Sequence, residues 1–219
     1  MSWLKKIYLD PASQHEESWK TALAQLAQRP GILLDLGGGT PFQGYIRAEM
    51  IGPQTHYFSL DIRESAAPHI VGDVMCLPFR DESVDNILCN AVLEHIPNPQ
   101  QAINEMYRVL KPGGCAYVGV PFIYPYHDEV DYFRFSDTAL RTLFKRFHNV
   151  RIEPVGDYVF AAMLFLTGFA FPIAMRLGWL TNPLRWILKT SQHIIGTSQR
   201  RYQRGLTRSP VGWYVYATK

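Results

Sequence analysis

The sequence predicts an α/β fold built on a doubly wound, mostly parallel sheet, and three observations carry that prediction. Ile32-Leu33-Leu34-Asp35-Leu36 is an apolar run interrupted by a single acid, which reads as a buried parallel strand. Gly37-Gly38-Gly39-Thr40 follows it directly, a turn whose backbone must approach something closely and whose amide N–H groups suit a nucleotide-like ligand. About twenty residues later a second apolar run, His56-Tyr57-Phe58-Ser59-Leu60, ends in Asp61, where an acidic side chain can accept both hydroxyls of a ribose.

The elements follow in order. Pro11 sits at the first turn of a helix running to Gln28, with Trp19, Leu23 and Leu26 at helical spacing, suited to packing on the sheet or shielding the mouth of the site. After the glycines, Pro41 suits a helix start, and a short helix over about Phe42 to Met50 is expected, ended by Gly52-Pro53. Arg63 to Pro68 are too few for a crossover helix before a third strand near His69 to Gly72, so one sheet face has thin cover here. Val84 to Asn90 reads as the fourth strand, and Ile103, Met106 and Leu110 share one face of a helix from Pro99. Pro112-Gly113-Gly114 turns the chain into a strand from Cys115 to Val120. Ser136 or Asp137 caps a helix to about Phe147, Asn149 to Pro154 reads as the sixth strand, and Gly212 to Ala217 alternates as a last one.

The dinucleotide pattern G-x-G-x-x-G starting at Gly37 places its third glycine at Phe42, so that fingerprint fails. What remains, Asp35-Leu36-Gly37-Gly38-Gly39, resembles the first motif of the class I S-adenosylmethionine-dependent methyltransferases. Three more segments fall in that family's order: Gly72-Asp73-Val74 to Phe79, Val84 to Ile96, and Glu105 to Leu110 with Lys111-Pro112-Gly113-Gly114. The resemblance covers roughly residues 30 to 155 and implies a Rossmann-like, seven-stranded sheet whose last strand is antiparallel between the fifth and sixth. It implies S-adenosyl-L-methionine as cofactor, held by Asp35, Gly37, Gly38, Gly39, Asp61, Ile62, Asp73, Val74 and Asn90. Pro41 stands where the family often has another glycine, which removes one potential N–H donor.

The methyltransferase-like unit takes residues 1–157 and 209–219, leaving 158–208 as an apolar, then basic, helical insertion. Val159 to Met175 holds seventeen residues without a charge. Net charge is +3, yet eight of the 22 basic residues and none of the 19 acidic ones lie between Arg176 and Lys219. That asymmetry suits an anionic partner. If the last strand pairs with the sheet, both ends of the insertion lie on one side and a single membrane crossing is excluded. A hairpin dipping into one leaflet, a segment lying flat on an anionic membrane surface, and a buried helical hairpin or homodimer interface are all open. Nucleic acid is disfavoured, since no RNA-binding module accompanies Arg200, Arg201, Arg204 and Arg208. An acidic segment follows Met1 to Lys6 where a leader would be apolar, so no signal peptide is expected, and a cytoplasmic location, free or against the inner face of the membrane, is. Cys76, Cys89 and Cys115 have no C-x-x-C spacing, so reduced thiols and no metal are expected.

The acceptor's side of the site falls to the segments after the fourth and fifth strands. His127 is the first candidate for a general base and His95 the second; each has a quieter reading, loop ordering through Asp128 or Asp131 for His127 and packing at the cofactor rim for His95. Tyr126, Asp131, Tyr132 and Arg134 are the candidate acceptor contacts. Arg134 either clamps a phosphate or carboxylate or pairs with Asp131 or Glu129. Tyr124-Pro125-Tyr126-His127 and Asp131-Tyr132-Phe133-Arg134-Phe135 resemble a methyltransferase subgroup linked with cell-envelope glycan or lipid modification. Asn90-Ala91-Val92-Leu93 replaces the Asn-Pro-Pro-aromatic turn of base methylation, and no cysteine nucleophile is present for carbon methylation. A hydroxyl or amine of a small-molecule, sugar or lipid-linked acceptor remains. The competing expectation is a catalytically silent scaffold that keeps the cofactor fold and docks on a membrane or a protein.

Overall fold

The computed structural model describes residues 14–156 and 210–219. The insertion over 158–208 and the proposed helix start at Pro11 lie outside the described residues. Helix α1 covers Gln14–Gln28 and leads into strand β1, Gly31–Leu36. Strands β2 (Thr55–Asp61), β3 (Ile70–Val71) and β4 (Val84–Asn90) follow, then helix α2 (Pro99–Val109), β5 (Leu110–Pro121), α3 (Asp137–Leu143), β6 (His148–Val155) and β7 (Gly212–Thr218).

The strands form one seven-stranded sheet in the order β3-β2-β1-β4-β5-β7-β6. Neighbours from β3 to β5 are parallel, and β7 runs antiparallel between β5 and β6. From β1 the chain first winds outward through β2 and β3, then returns to place β4 on the other flank. That reversal opens a crevice at the carboxyl ends of β1 and β4, where ligands of such sheets sit.

Both faces of the central strands are covered. Leu34 and Leu36 join Ile87, Cys89, Ile103, Met106, Leu140 and Phe144 in the larger core, beneath α2 and α3. Leu33 and Leu88 point the other way, onto Leu23, Leu26 and Ala27 of α1 with Tyr57 and Tyr117. The period-2 alternation of strand side chains therefore yields two cores from one apolar run. Asn98 caps α2 through Gln101 N–H at 3.2 Å, and Ser136 caps α3 through Ala139 N–H at 3.2 Å.

Two local expectations are corrected. No helix forms over Phe42 to Met50; the chain bends and makes only a short 3₁₀ turn at Ala48–Met50. Phe42 sits at φ 61°, a left-handed conformation that cannot begin a helix, and its ring stacks on Tyr57 with centroids 4.8 Å apart. Lys111-Pro112-Gly113-Gly114 is no separate turn before a strand, because β5 already pairs at Leu110↔Val84 and resumes at Cys115↔Asn86. The four residues are the slack in that ladder, with Gly113 at φ 78°.

Asp85 ties this region to β1. Its carboxylate accepts the Ile32 N–H at 2.8 Å and the Lys111 ammonium at 2.8 and 2.9 Å. Asp85→Ala strands the Ile32 donor, and the expected loss is about 1–3 kcal/mol of unfolding free energy by denaturant titration, with Asp85→Asn recovering part of it.

Candidate functional site at the carboxyl ends of β1, β2 and β4

The Gly37-Gly38-Gly39 turn leaves β1 with Gly37 at φ 70° and Gly39 at φ 56°. A Cβ on Gly37 would lie 2.4 Å from Val92 Cγ2, so this turn accepts no side chain there. A Cβ on Gly39 would instead point toward Asp61 Oδ2 and Ala66 Cβ, both at 3.8 Å, into the hollow between the turn and β2. The Gly37 N–H donates to Leu60 O at 2.7 Å and Thr40 Oγ1 to Ala66 O at 2.6 Å, so the turn and the end of β2 move as one piece.

Asp61 stands at that end with its side chain 4 % exposed. Burial alone would raise its pKa, yet hydrogen bonds from Arg63 and the Gly39 amide, with the Arg63 charge, hold the carboxyl below the usual range. Arg63 Nε and Nη2 each reach an Asp61 oxygen at 3.2 Å, while the arginine itself is 67 % exposed. Next to Asp61, Ile62 is an apolar side chain 66 % exposed at the rim. The Gly72 N–H donates to Asp61 O at 3.0 Å, which brings the Gly72-Asp73-Val74 loop alongside. Asp73 Oδ1 accepts the Met75 N–H at 2.8 Å, and Val74 is buried behind it. A buried carboxylate and an exposed apolar rim fit the ribose and ring of an adenosyl group, and the glycine turn beside them leaves room for the chain carried on it.

Asp35 lies beneath the same turn. Its carboxyl is buried beneath the turn and accepts the Tyr57 hydroxyl at 2.9 Å, and a Cβ on Gly38 would come within 2.7 Å of it. Burial raises its pKa to about 7, against the lowering effect of the Tyr57 hydrogen bond. Asn90, at the end of β4, lies over Gly119, where an added Cβ would meet Asn90 Oδ1 at 1.7 Å, and it hydrogen-bonds Tyr45.

On the acceptor's side, the 3₁₀ turn Leu93–His95 follows β4 and carries Glu94, which is 1 % exposed. Its Oε1 lies 3.9 Å from His95 Nε2 and 3.9 Å from His127 Nε2, and its Oε2 is buried without a hydrogen-bond partner. Burial pushes the Glu94 carboxyl up, opposed by its own amide and by the His95 and Arg134 charges. The loop after β5 is fastened to the same residue, since Tyr132 and Phe133 donate their N–H groups to Glu94 O at 2.7 and 3.3 Å. Within the loop, Asp131 accepts a bidentate pair from Arg134, is held down to about 2 by it, and lies 3.2 Å from His127 Nδ1. Arg134 also donates to Tyr124 O at 2.9 Å and Pro125 O at 2.8 Å, so its guanidinium is spent on ordering the loop. Tyr126 and Tyr132 are 69 % and 56 % exposed, on the outside of it. The fold thus brings His95 and His127 together, with ring centroids 5.1 Å apart, and adds Glu94, Tyr45, Tyr57 and Arg63, which sequence reasoning did not single out as site residues.

Comparison with known proteins follows the same ground. Residues 34–118 match the family model described as a methyltransferase domain. The chain is 33% identical over 121 residues to an arsenite methyltransferase of Halobacterium salinarum, covering 48% of this chain and 31% of that one. It is 35% identical over 113 residues to a demethylmenaquinone methyltransferase of Listeria welshimeri, covering 44% of this chain and 48% of the relative. The chain therefore spans less than half the length of these curated relatives. Among solved structures, a SAM-dependent methyltransferase from Archaeoglobus fulgidus superposes with a TM-score of 0.58 at 15% identity, over 93% of this chain and 94% of that one, which shows the shared fold.

Asp35 also sets a pH dependence. Its folded pKa lies above the unfolded value of 3.8, so the native state holds an extra proton between about pH 4 and about pH 7. The contribution to stability is complete below that window and declines as pH rises through it, by a few kcal/mol at about 1.4 kcal/mol per unit. In denaturant titrations from pH 5 to pH 8, Asp35→Asn is expected to decline less steeply than the parent.

Proposed function

We propose that this chain, whose residues 34–118 match a methyltransferase domain, transfers a methyl group from S-adenosylmethionine to a hydroxyl or amine of a small-molecule, sugar or lipid-linked acceptor. The carrying observation is the pairing of the buried Asp61 carboxylate with the exposed Ile62 beside the Gly39 hollow. In this reading Asp61 accepts the ribose hydroxyls, Ile62 covers one face of the adenine, Asp73 and Val74 line its edge, and the Gly37 to Gly39 turn faces the methionine portion. When bound, the cofactor supplies an activated methyl on a positively charged sulfur. The chain's own work is to hold that methyl in line with the nucleophile and to exclude water. Glu94 and His95 after β4, with His127 from the loop after β5, are where the acceptor's nucleophile is oriented and relieved of its proton, with Tyr126 and Tyr132 flanking its entry. The fastening of the loop after β5 to Glu94 supports this assignment. The resemblance to a subgroup linked with the cell envelope favours a glycan or lipid-linked acceptor.

Ribose hydroxyls compete for the oxygens that Arg63 now holds, and the arginine, exposed to water, is readily displaced from them. Asp61→Ala is expected to weaken S-adenosylmethionine binding about tenfold to a hundredfold by calorimetry, as hydrogen bonds to a charged group contribute about 1.5–3 kcal/mol. Arg63→Ala is expected to bind at least as tightly as the parent. Equal affinity in Asp61→Ala and the parent contradicts the ribose assignment.

We also propose that residues 158–208 rest on an anionic membrane surface. The uncharged run and the basic stretch after it support this, as does the pairing of Val155 with Gly212, which starts and ends the segment at one point of the sheet. Flotation with anionic liposomes is expected, and it should weaken when Arg185, Lys189, Arg200 and Arg201 are neutralised; no flotation at low salt favours a buried hairpin or a dimer contact.

A further inference from the structure

Glu94, His95 and His127 each turn one donor atom toward the same point, and the three atoms lie within 4.8 Å of one another. We propose that these residues bind a divalent transition-metal ion, which receives the acceptor's oxygen; the binding site stands on geometry alone, and its use in catalysis rests on the methyl-transfer reading above. The sequence alone pointed away from a metal, because its cysteines have no ligand spacing.

Four features separate this cluster from a chance meeting of polar side chains. First, each imidazole has its other nitrogen engaged: His95 Nδ1 lies 2.5 Å from Val130 O, and His127 Nδ1 lies 3.2 Å from Asp131 Oδ2. Donation from His95 Nδ1 to that carbonyl leaves its Nε2 lone pair facing Glu94, and the Asp131 carboxylate beside His127 Nδ1 favours the same tautomer there, the outer arrangement that metal-bound histidines share. Second, the outer carboxylate is itself immobilised, since Arg134 grips both Asp131 oxygens. Third, Glu94 is buried with Oε2 lacking any hydrogen-bond partner, a cost that folding accepts where a ligand will compensate. Fourth, the cluster is closed beneath by Glu94 and open above, as the His127 side chain is 31 % exposed.

The donor set selects the ion. Two imidazoles and one carboxylate suit zinc, manganese or iron(II) better than calcium or magnesium, and three ligands on one side leave positions free for an outside oxygen. Bonds of about 2.0–2.2 Å require the donors, now 3.9 Å from Glu94 Oε1, to draw in by about half an ångström. A hydroxyl bound at the free position has its pKa lowered, so its proton passes to solvent water and the oxygen is left with the electron pair of the O–H bond. His127 then acts as a ligand, and its loss removes activity without its ever accepting the proton.

The test uses the full chain after chelator treatment, titrated by calorimetry with zinc chloride and separately with manganese and magnesium chloride, with no methyl donor present. One equivalent of zinc is expected, with magnesium far weaker. Glu94→Gln and His127→Ala should each weaken zinc by more than the tenfold to about a hundredfold that loss of an outer partner costs. His148→Ala, at the exposed start of β6, should bind as the parent does. Cobalt(II) gives a second readout, a visible absorption band of the nitrogen-bound ion that the parent shows and the variants lose. Unchanged zinc affinity in folded Glu94→Gln and His127→Ala, or no zinc retained by the parent after dialysis, overturns the proposal. Because the methyl donor is left out, this result and the S-adenosylmethionine titration fail or succeed independently.

Discussion

The contact between Gly37 and Val92 is the constraint on which the upper edge of the sheet depends. The turn leaving β1 and the turn leaving β4 occupy the same small volume, and only a residue without Cβ at position 37 lets Val92 in. Two loops with separate tasks are thereby packed as one object. One carries the backbone that faces Asp61, and the other carries Glu94 and His95. A sheet whose strand order reverses between β1 and β4 always leaves a crevice there. In this chain the glycine decides how narrow it is.

The acceptor's side is built with more fixed partners than the cofactor's side. Glu94 holds the loop after β5 through its backbone carbonyl and gathers two histidines around its side chain. Arg134, Asp131 and His127 form a chain of contacts that occupies His127 Nδ1, while the Val130 carbonyl takes His95 Nδ1, so both Nε2 atoms are turned to Glu94. Rigid support of this kind is what a site needs when geometry sets the rate. On the other side, Asp61 is covered by a solvent-exposed arginine, a contact easily exchanged for a ligand's hydroxyls.

Much of the fold was legible in the chain because buried parallel strands read as apolar runs and their ends are marked by glycine or an acid. The missing crossover helix after β2 follows from such marks, while the antiparallel last strand between the fifth and sixth was implied by the family resemblance and by no local pattern. The absent helix over Phe42 to Met50 was not legible, because a tertiary stack on Tyr57 holds Phe42 in a left-handed conformation that no local pattern announces. Asp35 reads the same as Asp61 in sequence, and only packing reveals that Tyr57 takes its carboxyl. Glu94 was visible beside His95, but its convergence with His127 spans more than thirty residues and two loops. Arg134 carried two readings until the coordinates showed its donors turned inward, onto Asp131 and the loop's own carbonyls.

The most direct measurement is a crystal structure of the full chain grown with saturating S-adenosylhomocysteine. The account predicts ribose hydroxyls on Asp61 with the Arg63 side chain displaced, the adenine against Ile62 and beside Asp73, and the sulfur directed toward the Glu94 turn. An Asp61–Arg63 pair left intact with the nucleoside bound elsewhere, or bound nowhere, contradicts it.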